Sequence, residues 1–343
     1  VLVTIKNYYV YVLVSLITQA LTNIVTAIVA TKMYPDYHPI GKLSKDQVKD
    51  INHRIRDLFT SKLGAVIVDS ADTVVISAFL GLTMLAIYQN YYYILTSVIG
   101  FVGIAFQSCT AGIGNSVIVE SEEKNFVDLK KFTFLIVWIA GFCTCCFLCL
   151  YQPFMEIWVG QDLMLGFSAV ICFCIYYFIY EINQLLNTYK DAAGIWHEDR
   201  FRPLVTALAN LTMNLIMVQF WGIYGVLLST VLSMFFVGMP WILHNLFTVL
   251  FDHAQMMDYV YTLFKYAFVV LVSCIACYVL STLVNFSALG NLVYRAVICC
   301  ILPNLLYFLI YRKTDEFVRC VELIDKMTKN KFKLSRLVKV KGA

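Results

Sequence analysis

Apolar residues run through this chain in long blocks separated by short charged stretches, and a helix needs ~20 such residues to cross a bilayer core of about 30 Å. The pattern predicts about nine transmembrane helices, over 5 to 31, 62 to 82, 84 to 112, 131 to 152, 163 to 188, 203 to 221, 222 to 246, 265 to 285 and 290 to 311. The expected fold class is an all-α polytopic membrane protein. The connections fall into two groups. Those at 32 to 61, 113 to 130, 189 to 202, 247 to 264 and beyond 311 hold nearly all the Lys and Arg, whereas the turns near Gly81, Trp158, Gly222 and Phe286 hold none. Basic loops stay on the cytoplasmic side, which places the C-terminus inside and the N-terminal end outside. Only Lys6 and Arg295 depart from this division. A chain that begins outside after synthesis in the cytoplasm has lost an odd number of helices, so more helices are expected upstream of Val1.

Local signals refine this frame. Ser44 and Gln47 form a capping box, with Leu43 placed to staple Val48. Val48, Ile51, Ile55, Leu58 and Phe59 then recur at helical spacing, with Lys45, Lys49, Arg54 and Arg56 on other faces. This describes either an amphipathic helix on the inner membrane surface or a solvated connector. Spans two and three, joined by a very short turn, are expected to form an antiparallel hairpin. Tyr88, Tyr91, Tyr92 and Tyr93 fall near its outer end, where an aromatic belt is expected. ESEEKNFVDLKKF reads as a solvated loop of mixed charge. Pro240 interrupts the seventh span's hydrogen-bond ladder, beside a cavity or as a packing feature. The tail ends in KNKFKLSRLVKVK, a basic run suited to anionic lipid rather than nucleic acid.

Composition excludes a soluble domain, since 60% of residues are hydrophobic and 14% charged. No charged n-region with a cleavage site precedes the first span, so no signal peptide is expected. Most of the twelve cysteines lie inside apolar runs, where thiols behave as small apolar side chains. The CxxC at Cys274 and Cys277 lacks a second ligand pair. His197, Glu198 and Asp199 lack both HExxH spacing and a partner cluster, which favours surface ion pairing with Arg200 or Arg202. No metal, disulfide or cofactor is therefore expected. No catalytic constellation is legible either, so the chain is not expected to be an enzyme.

The informative polar residues lie inside the spans. Asp69 and Asp72, three residues apart, share one helical side. A carboxylate at mid-bilayer costs roughly 2.5 to 3.5 kcal/mol on insertion scales, so such a group faces protein or water. Gln89, Asn90, Gln107, Glu181, Asn210 and Asn214 add further polar groups, the last two one helical turn apart. They line a hydrated path or hydrogen-bond neighbouring helices. Arg295 joins the cavity candidates or snorkels to the outer interface.

Several blocks carry a resemblance: YPDYHPIGKLSKDQVKDINHRIRDLF, SADTVVISAFLGLTMLAIYQNYYYI, IGNSV, LCLYQPFMEIWVG and TYKDAAGIWHEDRFRPL. Together they resemble the second half of bacterial polysaccharide transporters, the flippases that move undecaprenyl-linked sugar repeat units. The resemblance implies a MATE-like architecture of two six-helix lobes around a central cavity. On it, 1–31 is the last helix of the N-lobe, 32–61 the cytoplasmic linker and 62–246 the C-lobe. An extra helix pair occupies 265–311, followed by a basic cytoplasmic tail over 312–343. It implies alternating access in the bacterial plasma membrane, with Asp69 and Asp72 binding a coupling cation or proton, or sugar hydroxyls. The implied partners are a lipid-linked oligosaccharide, membrane lipid, and a polysaccharide polymerase with its export machinery. A cation-coupled multidrug extruder would share the architecture. A membrane-embedded enzyme on the same lipid carrier would need a larger outer loop with catalytic groups.

Overall fold

The computed structural model describes residues 7–36, 41–284 and 286–327. Lys6, the middle of the YPDYHPIG block, the basic run ending the tail and the side chain of Asp69 lie outside the described residues. Every regular element among those described is helical: α1 (Tyr8–Met33), α2 (Lys45–Phe79), α3 (Gly81–Val119), α4 (Glu122–Trp158), α5 (Phe167–Ala192), α6 (Arg202–Trp221), α7 (Ile223–Ser233), α8 (Met239–Val249), α9 (His253–Thr282), α10 (Ala288–Tyr311) and α11 (Asp315–Met327). A π-helical turn, Met234–Gly238, joins α7 to α8. By length and composition, eight segments among the described residues can cross a membrane: α1, α3, α4, α5, α6, the α7–α8 pair, α9 and α10. The chain thus has the makeup of an all-α, multi-pass membrane protein. The segment expected as the second span falls outside these eight because the final eighteen residues of α2 carry Lys62, Asp69 and Asp72.

The chain divides into two compact units, Val1–Asn52 and His53–Ala343. In the first, no residue of α1 is buried. Its hydroxyls at Ser15, Thr18, Thr22 and Thr26 each donate to the carbonyl one turn back, which satisfies polar groups within an apolar helix. The capping box forms at the start of α2: Ser44 N–H donates to Gln47 Oε1 at 3.0 Å, and Gln47 N–H to Ser44 Oγ at 3.3 Å. Replacing Ser44 by alanine is expected to cost about 1 kcal/mol locally, read as roughly fivefold faster amide exchange at Gln47.

The second unit is built around α4, which packs on α5, α9, α10 and α11, while α5 also packs on α3 and α7. Four features differ from the sequence reading. The helix expected in the 32 to 61 connection and the span expected from residue 62 are one uninterrupted α2, because no proline and only Gly64 fall between Lys45 and Phe79. Gly64 has a packing reason: a Cβ there would lie 2.4 Å from the backbone nitrogen of Leu204, so α2 and α6 approach backbone to backbone. Tyr88 and Tyr91 are core residues rather than interfacial ones. The Tyr91 hydroxyl donates to Gln152 Oε1 at 3.0 Å and accepts from Leu165 N–H at 3.1 Å, so its burial leaves no polar group wanting. The expected loop at 113 to 130 is mostly helix, because Ser121 caps α4 and Glu122 and Glu123 favour its first turn. Finally, the tail begins with α11, whose Phe317, Cys320 and Val321 are buried.

The α2–α3 connection is as short as expected, a single residue, Leu80, followed by Gly81 at φ +86°. Only glycine adopts that conformation without strain. Near Pro240 the helix departs from α geometry as expected: Met239 N–H bonds the carbonyl of Met234, five residues back. The π turn places the irregular ladder immediately before the residue that lacks an N–H.

Candidate functional site

Asp72 is the centre of a buried polar network between α2, α6 and α7. Ala71, Asp72, Val75 and Ile76 are all buried, so this stretch of α2 turns one face inward. Asn214 Nδ2 donates to Asp72 Oδ1 at 2.7 Å, and Thr230 Oγ1 lies 2.9 Å from Oδ2 and 3.2 Å from Oδ1. Asn210 Nδ2 donates to Thr230 Oγ1 at 3.1 Å, and its Oδ1 accepts from Asn214 at 3.3 Å. Ser229 Oγ completes the set by donating to Asn214 Oδ1. The i, i+4 pair on α6 thus fixes the orientation of both amides, and every member supports the next. A small pocket of about 20 Å³ adjoins Asp72, lined also by Tyr88, Tyr92 and Thr230. That is room for one water-sized species.

A larger cavity of about 530 Å³ opens between α2, α3, α5 and α6. Gln107, Asn183, Gln184 and Asn187 give its walls a row of amides, and Lys62, Lys190 and Arg202 outnumber the single lining carboxylate among the described residues, Asp191. Val68 is the one described residue lining both this cavity and the Asp72 pocket. The basic wall is anchored by Asp199, which is buried. Arg202 binds it bidentately, Nε to Oδ1 at 2.6 Å and Nη2 to Oδ2 at 2.8 Å, while Nη2 also reaches Asn187 Oδ1 at 2.7 Å. Asn245 Nδ2 adds a bond to Asp199 Oδ1 at 2.9 Å. Lys190 lies 3.6 Å from Asp199, 2.7 Å from Asp191 and 4.1 Å above the centre of the Trp196 ring. Lys62 has no carboxylate partner among the described residues.

The candidates from the sequence therefore separate. Asp72, Asn210 and Asn214 come together in one network, and Gln107 lines the large cavity. Gln89 ties α3 to α2 by donating to Thr73 Oγ1 at 3.2 Å, and Asn90 lines neither cavity. Glu181 is buried away from both, and its Oε1 has no hydrogen-bond partner among the described residues. Arg295 donates from Nη1 to the Cys149 carbonyl at 3.2 Å and stands on α10, outside both cavities. The side chain of Asp69 lies outside the described residues.

Sequence reading passed over Lys190, Asp199 and Arg202 as parts of a site. The expected ion pairing of Asp199 forms with Arg202, but both residues are buried rather than at the surface. Outside the spans, Asp57 near the start of the second unit has its carboxyl held below the usual carboxylate range. The hydrogen bond from His197 is the main cause, with the charges of His53 and Arg200 adding to it against burial.

Comparison with family models, with curated proteins and with solved structures finds no match to this chain.

Proposed function

We propose that this chain forms the second half of a transporter that carries undecaprenyl-pyrophosphate-linked oligosaccharide repeat units from the cytoplasmic to the outer leaflet. The reading places it in the bacterial plasma membrane, C-terminus inside, with alternating access moving the headgroup while the polyprenyl tail stays in lipid. The observation that carries the proposal is the large cavity. At about 530 Å³ it is of ligand-binding size, and its amide row matches the mixed donors and acceptors of sugar hydroxyls. Lys62, which has no carboxylate partner among the described residues, supplies a charge-assisted contact of the kind a pyrophosphate requires. An apolar cavity would have favoured an amphipathic drug instead.

The test uses the intact protein in cells whose surface polymer depends on it. Replacing Gln184 and Asn187 together by leucine is expected to lower repeat-unit translocation by about tenfold, because each lost polar contact to a buried hydroxyl costs on the order of 1 kcal/mol. Undiminished polymer export in that variant would remove the cavity from the path. A change in drug resistance with unchanged polymer would favour the extruder.

A further inference from the structure

His53, Asp57 and His197 converge on one point at the end of α2 remote from Asp72. His53 and Asp57 are one turn apart on α2, and His197 comes from the connection between α5 and α6, 140 residues along the chain from Asp57. The donor atoms form a compact triangle. His53 Nε2 is 3.3 Å from His197 Nδ1, His197 Nδ1 is 2.9 Å from Asp57 Oδ2, and Asp57 Oδ2 is 3.5 Å from His53 Nε2. Ligands about 2.0 to 2.1 Å from a tetrahedral zinc ion are separated by roughly 3.3 Å, the edge of the coordination tetrahedron. The three edges here scatter about that value.

The proton inventory shows how the cluster rests without an ion. His197 Nδ1 faces Asp57 Oδ2 and donates to it, while Arg200 Nη1, 2.7 Å from Nε2, takes the lone pair on the other ring nitrogen. His53 is held similarly, with Arg56 Nη2 at 3.0 Å from its Nδ1 and Asp57 at its Nε2. Asp57 is buried while both imidazoles reach solvent, so a carboxylate lies at the floor and two nitrogens at an open rim. A cation at the centre takes the place of the two imidazole protons that face Asp57, drawing lone pairs from both rings and charge from the carboxylate.

From this geometry we propose that His53, Asp57 and His197 bind a divalent transition-metal ion of the zinc class, which staples α2 to the α5–α6 connection. Binding goes through His53 Nε2, His197 Nδ1 and Asp57 Oδ2, and three protein ligands leave a further position for water. Arg200 and Arg56 compete with the ion for the same imidazoles and swing outward as it enters. Arg200 packs at the same time over the Phe201 ring, 4.8 Å from its guanidinium carbon. The site stands independently of the transport reading. Its neutral imidazoles and carboxylate suit zinc, and its lack of thiolate separates it from the cysteines packed between α4, α9 and α10.

The experiment uses the full protein without a histidine tag, in nanodiscs, stripped with EDTA and titrated with zinc sulfate by calorimetry. One equivalent is expected to bind. The His53→Ala and His197→Ala variants should each weaken it by about tenfold or more, since even outer-shell changes at metal sites cost that much. Arg200→Gln keeps all three ligands and removes a competitor, so it should bind zinc more tightly and serves where the histidine variants fold poorly. Cobalt(II) should show visible bands of nitrogen and oxygen ligation without thiolate charge transfer. Zinc binding unchanged in the His53→Ala/His197→Ala double variant, weaker binding by Arg200→Gln, or thiolate charge transfer would each overturn the proposal.

Discussion

Replacing Arg202 by glutamine is expected to destabilise the His53–Ala343 unit by about 3 kcal/mol, toward the lower end of the 3 to 5 kcal/mol found when one partner of a buried ion pair is removed. Asp199 is 1% exposed and Arg202 6%. Without the guanidinium, the Asp199 carboxylate keeps, among the described residues, the Asn245 amide at 2.9 Å and the Lys190 ammonium at 3.6 Å. Lys190 softens the loss because it remains close. Asn187 Oδ1 loses its donor as well, which reaches directly into the wall of the large cavity. Stability against denaturant in nanodiscs reads the effect. Adding Asp199→Asn to the variant should recover part of it, because the penalty resides in the stranded charge rather than in lost packing. A change of about 1 kcal/mol or less would mean that the pair behaves as a solvated surface bridge.

Asp72 carries the second large effect, and two substitutions separate its roles. Asp72→Leu strips the acceptor from Asn214 Nδ2 and Thr230 Oγ1. It is expected to cost about 1 to 3 kcal/mol, given that interhelical hydrogen bonds in membranes average nearer 0.6 kcal/mol than the values for soluble cores. Asp72→Asn keeps the shape and an acceptor oxygen but removes the charge, so stability should change little. On the transport reading proposed above, repeat-unit translocation by the intact protein should nevertheless fall by about tenfold or more, because that reading makes Asp72 a carboxylate that binds the coupling ion. Wild-type translocation by Asp72→Asn would reduce this residue to a structural hydrogen-bond acceptor. The result for the pair Asp69→Asn/Asp72→Asn would then follow Asp69 alone.

What the sequence made legible was short-range. The Ser44–Gln47 capping box and the tight turn at Gly81 depend on contacts within a few residues, and both form. The i, i+4 pair Asn210 and Asn214 is likewise a one-turn relation, and it correctly marked a polar face of α6. Long-range selection was hidden. Hydropathy gives Glu181 and Asp72 similar standing, yet Asp72 meets Asn214 from α6 and Thr230 from α7 while Glu181 is buried on α5 outside both cavities. The tyrosines near the start of α3 look interfacial because aromatic residues suit both a membrane surface and a core, and only the Gln152 and Leu165 partners decide for Tyr91. The break expected near residue 61 had no breaker residue behind it, only a change from charged to apolar composition.

Val68 has a consequence for time rather than for affinity. It is the one described residue on the wall of both the Asp72 pocket and the large cavity. A helical valine holds essentially one χ1 well, so the wall does not open by rotating its side chain. Opening requires α2 itself to shift, which moves exchange between Asp72 and the cavity from the picosecond–nanosecond range of rotamer flips to the microsecond–millisecond range of helix displacement. Any species bound at Asp72 is then metered by the backbone that carries the aspartate.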